Sequence, residues 1–353
     1  MARQDERVSV TFGRHYRRYR WSAGGTLLGL LALGWVLARV DYGRLIDVAG
    51  RTDIAFVLLT PLAVVAEQFV RAWKWRQLLF AIRPIGTLRL FGAIMAGYLA
   101  NILVPLGLSP LVRSWLVARL ENLKMSAVLA TVAIDRLVDG LVFTGFVALA
   151  LAFAVFPDPD GTVRLGLVAG GIGSFTLFTL LLFALARYKR GIARPGALMT
   201  RLARRLPERF AVPVESGLAS FAEGIVWPRE TWCGVAIVIA SIVIKLIAIT
   251  HFLWAGLAFG VTLPPVHYIF LVVFLGFLVI LSRLARIPGG FFVGAVFALD
   301  LLGVPDEPAL AMVLLVQISS LLTVAATGAI ALWRSGIALA DLKGGRPNAP
   351  GDA

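Results

Sequence analysis

The sequence predicts an all-α polytopic membrane protein, with about six full spans plus two re-entrant hairpins, or eight spans if the hairpin arms cross separately. Three observations carry this. Of 353 residues, 59% are apolar and 15% charged, at a mean hydropathy of +0.86; so little charge cannot cover a folded chain in water. The apolar residues come in blocks of about 20, the length that crosses roughly 30 Å of hydrocarbon at about 1.5 Å per residue. Two further apolar blocks are interrupted by proline and glycine, around Pro105 and around Pro288, and such interruptions break helices inside a membrane.

The net charge of +14 comes from 29 Arg and 5 Lys against 20 acidic residues. In so apolar a chain this excess is read against a bilayer, where arginines meet anionic headgroups and set orientation. No nucleic-acid partner is expected. Three scattered histidines and the single Cys233 offer no metal-ligand set, disulfide framework or redox centre, so no metal or cofactor is expected either.

Residues 1–20 hold six arginines against Asp5 and Glu6 and form a basic N-terminal segment, cytoplasmic by the positive-inside rule. The integral bundle follows over 21–335. Trp21 to Val40 is an uncleaved first span, full in length and without a small-residue cleavage site after it. A nearly neutral external loop leads to a second pass, from about Asp53 to Ala72. The stretch Arg71 to Arg76, with Trp73, Lys74 and Trp75, resembles an aromatic and basic cytoplasmic interface. Arg71 to Arg89 is then inside, and the next full span also starts inside. Leu88 to Leu120 must therefore enter and return on one face, as a re-entrant hairpin or as two very short spans.

Met125 to Phe156 and Val163 to Ala186 form a hairpin around the external turn Pro157 to Gly161. The segment 187–229 carries eight basic residues between Arg187 and Arg209 and is a cytoplasmic loop, either solvated or lying on the anionic leaflet through Leu198, Leu202 and Leu206. The second half reads as the same pattern upside down. Thr231 to Phe259 runs outward. Tyr268 to Leu302, broken at Arg283 to Gly290, is a second hairpin or two crossings. Ala309 to Trp333 returns to the cytoplasm, and residues 336–353 are a cytoplasmic tail. Inverted repeats with paired discontinuous segments point to a transporter whose site lies near the midplane.

A charge at mid-bilayer costs roughly 2.5 to 3.5 kcal/mol on insertion scales, so those that persist face the bundle interior and find partners. Glu67, Arg71 and Lys74 are spaced by four and three, on one helix face, and Asp135, Arg136 and Asp139 form a second cluster. Either the acids neutralise Arg71 or Arg113 as packing ion pairs, or the basic members bind a phosphate or carboxylate headgroup while the acids position them. Asn101, Pro105, Gly107 and Arg113 lie around the first bend. Unwound backbone and a helix starting near Ser109 would hold an anion there beside Arg113, unless Arg113 snorkels to the surface. Pro288, Gly289 and Gly290 open the second bend, beside Arg283 and Arg286. Lys245 sits at midplane depth in its span, as a structural ion pair or as a ligand contact. His251 is read as a packed or interfacial histidine rather than a proton relay.

Four motifs in order carry a family resemblance: Arg71-Ala72-Trp73-Lys74-Trp75-Arg76-Gln77-Leu78-Leu79, Asn101-Ile102-Leu103-Val104-Pro105 with Arg113, Asp135-Arg136-Leu137-Val138-Asp139, and Ile287-Pro288-Gly289-Gly290. They resemble those of the lysylphosphatidylglycerol synthase transmembrane family, over about residues 20 to 335. The resemblance implies an integral bundle associated with movement of lipids or lipid-linked precursors, as in the flippase half of bifunctional aminoacyl-phosphatidylglycerol synthases. The match is divergent. Ser109-Pro110 stands where a Gly-Glu pair is usual, Asp135 replaces Glu, Phe291 and Phe292 follow Gly290 where an acid is usual, and Gln317 stands where Arg is common. The missing acids weaken the case for proton or cation coupling and suggest a different cargo. No segment outside the spans is long enough for a catalytic fold, so the aminoacyltransferase domain is not expected in this chain.

The function expected is a non-enzymatic transporter or flippase of the cell inner membrane, passing an anionic or amphiphilic headgroup through a polar intramembrane groove. Arg71, Arg113 and Lys245 would neutralise the headgroup while Glu67, Asp135 and Asp139 hold them. Its partners would be membrane lipids, anionic or isoprenoid in type. The alternatives are an integral enzyme of lipid or glycan assembly, and a scaffold docking lipid-synthesis enzymes on the 187–229 segment.

Overall fold

The computed structural model describes Leu31, Gly34, Ala38 and residues 41–103, 107, 109–154, 158, 160–189, 231–285 and 290–335, with side chains except at 184–189, 231 and 283–285. The basic N-terminus, nearly all of the first span, residues 190–230 of the long basic segment and the tail lie outside these. Among the described residues the chain is helical and has no strand. In order the helices are α1 (Tyr42–Gly50), α2 (Ile54–Leu79), α3 (Thr87–Leu103), α4 (Ser109–Glu121), α5 (Met125–Phe153), α6 (Thr162–Lys189), α7 (Thr231–Ala258), α8 (Pro265–Ala285), α9 (Gly290–Leu301) and α10 (Asp306–Ser335). Six of them, α2, α5, α6, α7, α8 and α10, are long and apolar enough to cross a membrane. This is an all-α, multi-pass membrane protein.

Polar residues at the helix ends explain where the elements begin and stop. Asp41 caps α1, accepting from the Gly43 and Arg44 N–H groups at 2.9 and 3.2 Å, and so makes a helix where the sequence reads as an external loop. Asp53 caps α2 through the Ala55 N–H at 2.9 Å, and Asp158 caps α6 through Val163 and Arg164. At the end of α4, Asn122 takes φ 52° and the Leu123 N–H returns to the Ala118 carbonyl at 2.8 Å, the left-handed stop that asparagine tolerates. Gly303, at φ 79°, closes α9 in the same way. Asp306 and Glu307 then occupy the first turn of α10, where the helix dipole favours negative charge.

Both interrupted blocks are helix pairs. α3 packs on α4, and α8 packs on α9. In the first pair the arms are 17 and 13 residues, about 25 and 20 Å, each short of a full crossing. In the second the arms differ: α8 has 21 residues and α9 has 12, so α8 reaches across the hydrocarbon at about 31 Å whereas α9, at about 18 Å, does not. The second pair is therefore less like a short re-entrant loop than the sequence suggests.

The contacts group the chain into two compact units. The first takes in Met1–Leu59, Phe146–Gly170 and Phe252–Val316. It is cored by Phe270, Leu271, Ala298, Leu299 and Met312 and contains α8 and α9, whose close contact at Gly294 leaves no room for a side chain against Leu278. The second takes in Thr60–Gly145, Gly171–His251 and Gln317–Ala353. Its core is built on Trp75, Leu78, Leu90, Ile94, Leu116 and Val132, and the charged residues of α2 to α5 and α7 lie within it.

Candidate functional site

One face of α2 carries Thr60, Val64, Gln68, Arg71, Trp75 and Leu78, all buried, the three- and four-residue spacing that keeps side chains in register along a helix. Arg71 and, beside that face, Lys74 are its buried charges. α2 also runs on through Leu79, and within Arg71 to Arg76 the side chains divide: Lys74 and Trp75 are wholly buried while Trp73 is exposed. Asp135 and Asp139, four apart on α5, are buried as well.

The charges form an alternating chain. Glu67 Oε1 accepts from Arg71 Nη2 at 2.7 Å, and Arg71 Nη1 reaches Asp139 Oδ2 at 3.2 Å. Asp139 Oδ1 meets Lys74 Nζ at 2.5 Å, and the same Nζ lies 2.7 Å from Asp135 Oδ1. Asp135 Oδ2 closes the line with Arg113 Nη2 at 3.3 Å. Neutral partners complete the two interior cations: Arg71 Nε donates to Gln68 Oε1 at 3.2 Å and Lys74 Nζ to Ser241 Oγ of α7 at 3.2 Å. Each buried charge thus faces at least one of opposite sign, which offsets the several kcal/mol that burial of a lone ion costs. The ion-pair reading of the sequence describes Arg71 and its acids well.

Arg113 is less completely paired. Its guanidinium lies 4.9 Å from the ring centroid of Trp75, which is itself held by an Nε1–H bond to Thr131 Oγ1 at 2.9 Å. Although Arg113 is 1% exposed, its Nε and Nη1 have no hydrogen-bond partner. Asn101 Oδ1, at the end of α3, is also buried without one. Buried donors are almost always paired, and an orphan needs an explanation. α4 is brought close to α3 at Gly97, where a Cβ would stand 2.9 Å from the Ser109 carbonyl and 3.3 Å from Arg113 Cβ.

Two further cations have no carboxylate within ion-pair distance among the described residues. Lys245 Nζ lies over the Phe143 ring at 5.2 Å, and Arg136 is exposed on α5. Tyr98 of α3 sits within coulombic range of Arg71, Arg113, Arg136 and Glu67, and Lys245 within range of Arg71 and Arg136 and equally of Asp139 and Glu67. His251 Nε2 faces Glu67 Oε2 at 3.6 Å without a hydrogen bond.

The structure therefore brings Glu67, Arg71, Arg113, Asp135, Arg136, Asp139 and Lys245 together in the second unit, with Asn101 at the end of α3. Gly107 takes φ 70° between α3 and α4, and Gly290 is the first residue of α9. Pro105, Arg286, Pro288, Gly289 and the side chain of Arg283 lie outside the described residues.

A family model, lysylphosphatidylglycerol synthase TM region, matches residues 22–328. The chain belongs to this family. Comparison with curated proteins and with solved structures gave no match. Within this lysylphosphatidylglycerol synthase TM region, the sequence put Lys74 on the charged face of its helix but not among the headgroup ligands, and left Trp75, Tyr98 and Ser241 out of the site. Lys74 carried a signal, its three-residue offset from Arg71 on a helix whose other charges need partners. Ser241 carried one too, a hydroxyl four residues before Lys245. Tyr98 carried none that separates it from any aromatic residue in an apolar arm.

Proposed function

We propose that this chain is a transporter, not an enzyme, and that it moves a lipid or lipid-linked precursor with an anionic or amphiphilic headgroup between the leaflets of the cell inner membrane. The family ties it to membrane lipid, and the observation that carries the reading is Arg113, deeply buried yet with Nε and Nη1 unpartnered. Arg71 has an acceptor on each guanidinium nitrogen, and Lys74 is held by two carboxylates and a hydroxyl. The headgroup role expected of Arg71 thus passes to the unpartnered Nε and Nη1 of Arg113, with Arg136 within coulombic range of it and Asn101 near the hairpin bend. Glu67, Asp135 and Asp139 lock Arg71 and Lys74 in place, and with Arg113 as the third cation the set is neutral. The same saturation argues against catalysis: each of these carboxylates already faces a cation, whereas a general base must be free to take a proton.

Purified protein in liposomes containing headgroup-labelled fluorescent lipids should speed their movement between leaflets, and Arg113→Gln should remove most of the gain. Movement no faster than in protein-free liposomes, across anionic, zwitterionic and isoprenoid-phosphate lipids, would overturn the reading.

A further inference from the structure

We infer that Arg136 opens into a polar pit among the helices of the second unit, that water reaches it well inside the bilayer, and that it binds the phosphate of an anionic lipid headgroup there. The pit rests on geometry alone, and its lipid rests on the transport reading.

α5 exposes Arg136 within a stretch that is otherwise covered. Every position from 126 to 144 is buried or half-buried except 136. A helix side that faces lipid exposes a run of residues three and four apart, as α6 does at Leu165, Val168, Ile172 and Phe175. Around Arg136 that run is missing. Val132 and Asp139 are buried, and Leu129 and Ala133 are half-buried. One turn further on, Gly140 lies so close to the Phe178 ring of α6 that a Cβ has no room. Exposure confined to a single turn marks an opening between helices, not an outer face.

Depth makes the opening polar. α5 has 29 residues, about 43 Å of helix against roughly 30 Å of hydrocarbon, so when centred it extends about 7 Å beyond each boundary. Arg136 stands about 16 Å along the axis from Met125, hence about 10 Å inside the hydrocarbon. A guanidinium facing lipid at that depth is costly. Snorkelling toward the cytoplasmic end would take it past Leu129, Val132 and Ala133, the covered side. Its exposure is therefore to water or to a headgroup.

The surroundings suit an anion. Tyr98 of α3, Arg113 of α4 and Lys245 of α7 lie within coulombic range of Arg136, as does its neighbour Asp135, and all of them belong to the second unit. Asp135 already faces Lys74 and Arg113. With no carboxylate at ion-pair distance among the described residues, the Arg136 guanidinium is left to pair with phosphate oxygens, which its planar set of N–H donors matches.

The test uses the full chain in liposomes and has two independent readouts. In the unaltered protein, a neutral water-soluble dicarbonyl reagent that modifies arginine, followed by peptide mass mapping, should modify Arg136 at least about tenfold faster than the buried Arg71 and Arg113. The modification should be at least about threefold slower in phosphatidylglycerol than in phosphatidylcholine liposomes, and inorganic phosphate added to the latter should protect less. In a Cys233→Ser chain, Arg136→Cys should react with a charged, membrane-impermeant thiol reagent at least about tenfold faster than Phe175→Cys, on the exposed side of α6, because the reactive thiolate forms in water and not in hydrocarbon. Arg136→Gln should slow the flipping of phosphatidylglycerol at least about tenfold. Arg136 modified no faster than Arg71 and Arg113, or Arg136→Cys no faster than Phe175→Cys, would overturn the pit. Equal modification in the two lipids, or equal protection by inorganic phosphate, would overturn the lipid phosphate as its ligand. A reactive, lipid-protected Arg136 in a chain that flips nothing would sink the transport reading alone, and flipping with an unreactive Arg136 would sink only the pit.

Discussion

Replacing Lys74 by methionine keeps the length of the side chain and removes one charge from the centre of the alternating line. Nζ lies 2.5 Å from Asp139 Oδ1 and 2.7 Å from Asp135 Oδ1, so those two oxygens are at most about 5 Å apart; at an effective dielectric of about 20 their repulsion is about 3 kcal/mol. That agrees with the roughly 3 to 5 kcal/mol lost when one partner of a buried ion pair is deleted. With an unfolding entropy near 2 cal/mol/K per residue, about 3 kcal/mol lowers the melting temperature of a chain this long by about 4 °C. The assay is thermal unfolding in detergent, followed by intrinsic fluorescence. The double variants make the test specific. Lys74→Met with Asp139→Asn leaves Glu67 on Arg71 and Asp135 on Arg113, two intact pairs, and should recover most of the loss. Lys74→Met with Asp135→Asn strips Arg113 of its carboxylate and should recover clearly less. A single variant melting within about 1 °C of the original protein, or two double variants of equal stability, would refute the alternating-chain account, since two unscreened buried carboxylates cost about 3 kcal/mol in the first case and Arg113 keeps its carboxylate in only one of the double variants.

Gly97→Ala should destabilise the first hairpin by about 1 to 3 kcal/mol, because the new Cβ meets backbone at Ser109 and the base of Arg113; faster limited proteolysis between α3 and α4 measures it, and unchanged cleavage would show that the arms are not so close. Trp75→Phe keeps an aromatic face for Arg113 but loses the bond to Thr131. It should cost about 1 kcal/mol, whereas Trp75→Leu, which also removes the cation–π contact, should melt lower by a further ~1 kcal/mol equivalent.

Much of the architecture is legible in the residues. Blocks of apolar sequence at the right length become α2, α5, α6, α7 and α10 because hydrocarbon demands a helix wherever backbone would otherwise be unsatisfied. Prolines and glycines near 105 and 288 mark the two breaks between paired arms. The charges at 67, 71, 135 and 139 are recognisable as partners in the making, because spacing by three and four places each set on one face. Two features were hidden for a shared reason. The 41–53 segment looks like a polar loop, and nothing in Arg71 to Arg76 shows that Lys74 and Trp75 are buried, since local composition is the same whether such residues meet water or meet each other. A single capping carboxylate, Asp41, makes the first a helix. Two acids on another helix make the second a core.

By itself the sequence determined that this protein lives in a bilayer, that it is all helix, and that its few buried charges had to find company, because the energetic cost of an isolated ion in hydrocarbon admits no other outcome. Only the tertiary structure decided the company. Lys74 and Arg71 meet Asp139 across 65 and 68 residues of chain, a pairing that helical periodicity cannot encode, since it sets which face a residue is on but not what that face packs against. The same packing leaves two nitrogens of Arg113 without a partner, and among the described residues it gives Lys245 and Arg136 no carboxylate at ion-pair distance, a division among the charges that spacing along the helices does not reveal.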